Sequence, residues 1–311
     1  MTGTVSVVIP THDRPDQLQR LIDCLCRQRR IPDQLVIVND GETETDMAIL
    51  EQVSAAGVEA FEIRRNEPSS AASRNAGLSA ANGDIVICLD DDMVPDEGFI
   101  ADLLDLYNRD VERIVSGIGV PYLEENDGWK YRLWETFSLF TGRMRFRPRI
   151  RAANYIRPGP GLAGLLEPAV MLSGGSLSLR GEVAERCRFD ETMGRYSFGE
   201  DREFSYRVGR TEPLYAARKM RIKHCPGPGG RGRWFDRGRV YVRNMLHVVR
   251  TGVEPGVGTG MMVAMDFAGA FFQHLLWGIL TAGLHNVLFA AGMAGELMSR
   301  GIAGTRRLLC E

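Results

Sequence analysis

The run Ile85-Val86-Ile87-Cys88-Leu89 ends abruptly in three carboxylates, Asp90-Asp91-Asp92. Five consecutive apolar residues, entered through Asn82-Gly83-Asp84, read as a buried strand. Three adjacent carboxylates repel one another, and folding gains nothing from placing them where such a strand stops. A divalent cation removes the conflict. Hard cations such as Mg²⁺ and Mn²⁺ take oxygen ligands and bridge a carboxylate to a substrate diphosphate. Open α/β sheets bind their ligands at the carboxyl ends of strands. The cluster therefore points to a nucleotide-diphosphate site, with a solvated acidic turn as the plain alternative.

The flanking sequence sets the architecture. Val5-Ser6-Val7-Val8-Ile9, closed by Pro10, is a strand, and Leu35-Val36-Ile37-Val38, closed by Asn39-Asp40-Gly41, is a second. Residues 15 to 30 carry Leu18, Leu21, Ile22 and Leu25 at helical spacing, with Pro15 suited to a first turn. Residues 45 to 55 predict a helix, 58 to 63 a strand and 69 to 81 an Ala-rich helix. Strands alternating with helices imply an α/β fold with a mostly parallel, Rossmann-like central sheet flanked by helices. The alternation weakens after Leu106. Strands are expected within 114 to 121, 170 to 179 and 221 to 223, and helices over 197 to 208 and 236 to 249.

The chain of 311 residues has room for one large α/β domain with an appendage. A formal net charge of −2 gives no electrostatic case for nucleic acid. The six cysteines form no CxxC pair and match no zinc module, which suits a reducing cytosol. Met1-Thr2-Gly3-Thr4 runs straight into a strand, with no secretory signal pattern. A P-loop motif does not occur, and no GxGxxG follows the first strand. Residues 261 to 294 differ from the rest, because no charge falls between Asp266 and Glu296. Phe267, Phe271, Phe272, Leu275, Leu276, Ile279 and Leu280 form a broad apolar helical face, interrupted by Gln273, His274, Thr281, His285 and Asn286. These interruptions favour helices packed on a neighbour, in the chain or in an oligomer, or lying at a membrane surface, over a spanning helix. Arg300, Arg306 and Arg307 suit anionic headgroups or a solvated helix end.

Taken in order, Val7-Val8-Ile9-Pro10-Thr11-His12-Asp13-Arg14, Val36-Ile37-Val38-Asn39-Asp40-Gly41, Ser73-Arg74-Asn75-Ala76-Gly77 and Asn82 to Asp92 resemble the family 2 glycosyltransferases of the GT-A fold. Ser173-Gly174-Gly175-Ser176, Phe189-Asp190-Glu191, Gly199-Glu200-Asp201-Arg202-Glu203-Phe204, His224 and Arg239 to Asn244 continue the likeness, which covers about residues 4 to 250. Each motif alone is weak, and their order makes the set specific.

The resemblance assigns roles. Pro10, Thr11 and His12 sit where a backbone and a flat side chain contact a nucleobase; the family usually carries Tyr where His12 stands. Asp40 is the family's base reader, accepting from a uracil or thymine imide N–H, which implies a UDP- or dTDP-sugar donor. Arg74 suits base stacking or a phosphate contact, or a helix-face salt bridge. Asp92 is expected to ligate Mn²⁺ or Mg²⁺, with His224 completing the site; Asp90 and Asp91 are expected to share the remaining work, Asp90 as a second metal ligand or nucleotide-sugar contact and Asp91 at the ribose hydroxyls, a division the sequence leaves open. Asp201 is the expected general base, deprotonating an acceptor hydroxyl opposite the leaving group, with Glu200 in support. Arg231 and Arg233, in a Gly-rich loop, suit phosphate contacts. The family often has Asn where Ser176 stands, so the preference for a donor sugar can differ.

The expectation is an inverting, metal-dependent glycosyltransferase acting on a glycan or lipid-linked acceptor. Residues 1–115 would form the nucleotide-sugar half, 116–235 the acceptor half with the base, and 236–311 a helical extension. Trp129, Tyr131, Trp134 and Phe137 would line the acceptor. The expected location is the cytoplasm or the inner membrane face, with peripheral membrane contact or a homo-oligomer through the extension and no nucleic-acid partner. The rivals are a catalytically silent nucleotide-sugar binder and a sugar nucleotidyltransferase, whose glycine-rich activation loop residues 10 to 15 lack. A retaining mechanism would be told apart by product anomery.

Overall fold

The computed structural model describes residues 3–124, 156–194, 198–225, 233–252, 257–281 and 283–310. The chain divides into two compact units, one of residues 1–125, 152–195 and 200–230, the other of residues 126–151, 196–199 and 231–311.

The first unit opens with β1 (Val5–Thr11), α1 (Pro15–Cys26), β2 (Gln34–Asn39), α2 (Met47–Ala55), β3 (Glu59–Arg64), α3 (Ser70–Ala80) and β4 (Ile85–Leu89). β1 lies parallel to β2 and β4, and β2 parallel to β3. β2 and β4 are buried at every position, as expected of parallel strands covered on both faces. Alternate residues go to opposite faces. Val5, Val7, Ile9, Leu35, Ile37, Ile85 and Ile87 pack against Leu18, Leu21, Ile22 and Leu25 of α1. Val8, Val36, Val38, Val86 and Cys88 pack on the other face against Ala71 and Leu78 of α3. The small residues of α3 let it lie close: a Cβ on Gly77 would come within 2.1 Å of Val8 Cγ1. Ser69 and Asp46 cap α3 and α2, accepting from Ala72 N at 3.3 Å and Ala48 N at 2.9 Å.

Short elements follow: β5 (Met93–Val94), α4 (Phe99–Arg109), β6 (Gly117–Gly119), β7 (Tyr122–Glu124), β8 (Leu166–Pro168), β9 (Ser176–Arg180), α5 (Gly181–Arg186), α6 (Glu200–Val208), β10 (Leu214–Ala217) and β11 (Ile222–His224). The eight-stranded sheet runs β3-β2-β1-β4-β9-β6-β10-β8. β9 enters antiparallel beside β4, so the second half of the sheet is mixed. A separate three-stranded sheet pairs β11 with β5 and β7. The strand expected over 170 to 179 is shortened to Ser176–Arg180 because Gly174-Gly175 forms a turn, closed by Ser176 N donating to Ser173 O at 3.2 Å. Helix α4 is not among the elements expected from the sequence; its signal was the spacing of Phe99, Leu103, Leu106 and Tyr107, all buried.

The second unit holds α7 (Trp234–Gly252), α8 (Val257–Thr281) and α9 (Leu284–Cys310). α9 packs on both other helices. At its crossing with α7 a Cβ on Gly292 would come within 1.9 Å of Phe235 O, and one on Gly238 within 2.0 Å of Phe289 O. Asn244 of α7 donates to Phe198 O at 3.1 Å. Among the described residues, no helix is long and apolar enough to cross a membrane. Trp129, Tyr131, Trp134, Phe137 and Arg231 lie outside the described residues.

Candidate active site

The carboxyl ends of β1, β2 and β4 carry the polar residues. In-register pairing of β1 with β2 and β4 brings Thr11, Asp40 and the Asp triplet to one edge. Thr11 Oγ1 donates to Asp91 Oδ2 at 2.8 Å, and Asp40 N donates to Thr11 O at 3.1 Å. Asp40 is oriented from three sides. Its Oδ2 accepts from Ser69 N at 2.9 Å and Ser73 Oγ at 2.7 Å, and His12 Nδ1 lies 3.0 Å from Oδ1. Asp13, at φ 51°, accepts from Thr43 N at 2.9 Å and ties the loop after β1 to the loop after β2. Gly41 leaves room for this, since a Cβ there would meet Asp13 N at 2.6 Å. Pro10, one step before the edge, pairs with Val38.

Asp91 and Asp92 are both buried, at 3% and 6% exposure, and share one cation. Arg14 Nη1 lies 3.0 Å from Asp91 Oδ1 and 3.3 Å from Asp92 Oδ2. Burial pushes the Asp91 carboxyl up to about 6, against the pull of Arg14 and the Thr11 hydroxyl. Both Asp91 oxygens have partners within the chain. Arg14 was in view in the sequence without a role; its signal was a cation three residues past β1, beside a carboxylate cluster on the adjacent strand.

His224 stands at the end of β11, which pairs with β5 directly after the triplet, His224 opposite Met93. Its Nε2 lies 3.5 Å from Asp92 Oδ2, and Cys225 N donates to Asp92 O at 2.9 Å. Tyr122 of β7 packs on the imidazole with ring centroids 5.3 Å apart.

Arg74 is 5% exposed and joins two motifs. Nη2 donates to Asp90 Oδ1 at 2.6 Å, and Nη1 pairs with Glu200 Oε1. Burial disfavours its charge, and Asp90 and Glu200 outweigh that and hold it protonated. Arg74 thus forms a buried salt bridge between the two motifs. The guanidinium fits because Gly174 has no side chain; a Cβ there would sit 3.1 Å from Arg74 Cζ. Gly175 is as constrained, with a Cβ predicted 2.5 Å from Asp90 Oδ2 and 2.9 Å from the Tyr122 hydroxyl. Tyr122 in turn bonds Ser173 through its hydroxyl. Its phenol is raised chiefly by burial and further by the charges of Asp90 and Asp201, which puts both carboxylates within electrostatic range of one ring. Asp201 opens α6 half-buried, and its Oδ1 accepts from Arg202 N at 2.8 Å.

Among the described residues, no set of three His, Cys, Asp or Glu side chains converges on one point. Mg²⁺ and Mn²⁺ do not need one, because one or two protein ligands plus substrate phosphates and water commonly complete the shell. The adjacent oxygen of Asp92 and nitrogen of His224 fit that donor set, whereas Asp90 is directed to Arg74.

Residues 6–159 match the model of glycosyl transferase family 2. The chain is 24% identical over 250 residues to a chondroitin synthase of Escherichia coli, covering 75% of this chain and 36% of that protein. It spans less than half the length of the first curated relatives it matches. Among solved structures it is similar to S. aureus TarS 1–349 in complex with UDP-GlcNAc, with a TM-score of 0.56 and 12% identity, covering 96% of this chain and 92% of that one. It is also similar to a mannosyltransferase from Pyrobaculum calidifontis in complex with GDP-Man and Mn²⁺, with a TM-score of 0.57 and 12% identity, covering 96% and 88%. At these identities the likeness establishes the shared GT-A fold.

Proposed function

Through residues 6–159 the chain belongs to glycosyltransferase family 2, and from that premise we propose that it is an inverting, metal-dependent glycosyltransferase. It moves a sugar from a UDP- or dTDP-sugar to a hydroxyl of a glycan or lipid-linked acceptor. In this reading residues 1–115 bind the nucleotide sugar, residues 116–235 bring the base and the acceptor surface, and 236–311 form the helical extension. The observation that carries the reading is Arg74, whose one guanidinium ties Asp90 of the triplet to Glu200 beside Asp201. Donor-binding and proton-accepting residues are thereby fixed in one frame.

Asp40 accepts from the base imide N–H, with its oxygens aligned by Ser69 and Ser73, and His12 lies against the base. Asp92 and His224 would hold Mn²⁺ or Mg²⁺, which when bound supplies charge neutralisation at the departing diphosphate. Asp91 keeps Arg14 and Thr11 in place. The acceptor oxygen attacks the anomeric carbon opposite the diphosphate. Asp201 takes its proton as the C1–O bond to the phosphate breaks, and the configuration at C1 inverts. Asp201 is the better base than Glu200, because the Glu200 carboxylate is engaged by Arg74.

The test is binding and hydrolysis across UDP-, dTDP- and GDP-sugars with Mn²⁺, Mg²⁺ or EDTA. Metal-dependent selection of one uridine or thymidine donor supports the reading. Selection of a guanosine donor refutes the role given to Asp40. Tight binding without turnover in the presence of every acceptor class tried supports the silent binder instead.

A further inference from the structure

Helices α8 and α9 bury polar side chains while leaving large apolar ones exposed. The polar side chains Gln273, His274 and Asn286 are buried, at 1%, 9% and 6% exposure. Two of them are joined: His274 Nδ1 lies 3.0 Å from Asn286 Oδ1, and Asn286 Nδ2 lies 2.9 Å from His285 Nε2. Phe267, Phe289 and Met293 are buried as well, yet a second set of large apolar side chains points outward. Phe272, Ile279, Leu280 and Leu284 are 62%, 65%, 62% and 68% exposed, and Leu276 and Leu288 about 40%. Positions 272, 276, 279 and 280 share one face of α8, and Leu284 and Leu288, four residues apart, share one face of α9. A water-facing hairpin carries the opposite pattern, and single-chain soluble proteins seldom expose a contiguous apolar patch of this kind.

Charge identifies the occupant. No ionisable acid or base other than histidine falls between Asp266 and Glu296, so the patch has nothing to desolvate against hydrocarbon. Beside it stands a basic, aromatic edge. Trp234 packs on His285 at the start of α9 with centroids 4.9 Å apart, and Arg237 lies 3.9 Å over the Trp234 ring. Arg233 next to it is exposed. The three helices hold seven arginines against three carboxylates, in a chain whose formal charge is −2. Leucine flanked by tryptophan and arginine is the composition that lies in a bilayer interface, with the indole and guanidinium at headgroup level. We infer that the outward face of the α8–α9 hairpin docks on an anionic lipid surface, in the interfacial plane and without spanning it. The inference stands apart from the assignment of the donor site.

The experiment is co-sedimentation of the full chain with vesicles of phosphatidylcholine alone and of phosphatidylcholine mixed with phosphatidylglycerol. The expected result is pelleting with the mixed vesicles, weaker pelleting with phosphatidylcholine alone, and a decline as salt is raised. Ile279→Asp with Leu280→Asp lowers partition at least about tenfold, since two large apolar side chains no longer leave water. Arg233→Gln, at the exposed cation of this edge, lowers binding to the mixed vesicles roughly fivefold and leaves phosphatidylcholine binding unchanged. Thermal melting of each variant checks that the hairpin is folded, and Leu284→Ser gives a milder second probe. A chain that stays in the supernatant with both vesicles overturns the inference. So does a solution dimer that Ile279→Asp with Leu280→Asp converts to monomer while vesicle binding is absent, because the occupant is then a second copy.

Discussion

Arg74 and Glu200, 126 positions apart, meet in a buried ion pair whose side chains are 6% and 9% exposed. The same guanidinium reaches Asp90, so a residue of α3 joins the end of β4 to the start of α6. Arg74→Lys keeps the charge and loses the fork that serves two carboxylates. It is expected to lower the rate of sugar transfer or donor hydrolysis at least about tenfold, by losing one charge-assisted hydrogen bond, with UDP affinity unchanged. Weaker UDP binding with an unaltered rate would show that Arg74 touches the donor instead. Arg74→Met leaves two carboxylates facing each other and is expected to destabilise the fold by about 3 kcal/mol or more, read by urea unfolding.

Asp201→Asn retains shape and removes the proton acceptor. Turnover should fall by about 10²–10⁴-fold while UDP binding in Mn²⁺ stays the same, measured by calorimetry beside steady-state rates. Full activity in this variant would remove Asp201 from the mechanism.

Asp92→Ala takes away the carboxylate nearest His224. Donor binding should weaken at least about tenfold in Mn²⁺ and lose its response to EDTA. In the wild-type chain EDTA should produce the same loss, and added Mn²⁺ should reverse it. Equal UDP affinity with and without metal in the wild type would argue against a cation at this site.

Gly175→Ala is the smallest change aimed at the site's packing. The new methyl would sit 2.5 Å from Asp90 Oδ2 and 2.9 Å from the Tyr122 hydroxyl, neither of them the end of a long flexible chain. The turn or Asp90 must shift. Activity is expected to drop about 10²-fold, as a misplacement of about 1 Å does, with the melting temperature lowered by only a few degrees. Wild-type kinetics would show that the turn yields without moving Asp90.

Away from the site, Asp110 and Arg180 form a buried pair at 2.7 Å. Asp110 also accepts from Ile114 N at 3.1 Å and Val115 N at 2.7 Å, and Arg180 Nε donates to Val115 O at 2.8 Å. Arg180→Met strands the carboxylate and should cost about 3–5 kcal/mol in urea unfolding. Donor affinity of the folded fraction should not change.

The sequence by itself determined the parallel half of the sheet. Alternating apolar runs and helical spacings over residues 5 to 89 place β1 to β4 and α1 to α3, because hydrophobic period reports which faces are buried. It also determined that Thr11, Asp40 and Asp90 to Asp92 lie at strand ends, since each follows its apolar run directly. Tertiary structure alone decided what those side chains touch. That Arg14 bridges Asp91 and Asp92, that Arg74 is spent on Asp90 and Glu200, and that Tyr122 and Ser173 close the site all depend on residues 16 to 126 positions apart. The short strands β5, β7, β8 and β10 escaped the sequence reading, because runs of two to four residues carry too few positions to show a period. In the helical hairpin the sequence displayed an apolar face broken by polar residues. Only packing decided that Gln273, His274 and Asn286 turn inward, where His274 and Asn286 bond each other, and that Ile279, Leu280 and Leu284 are left outside.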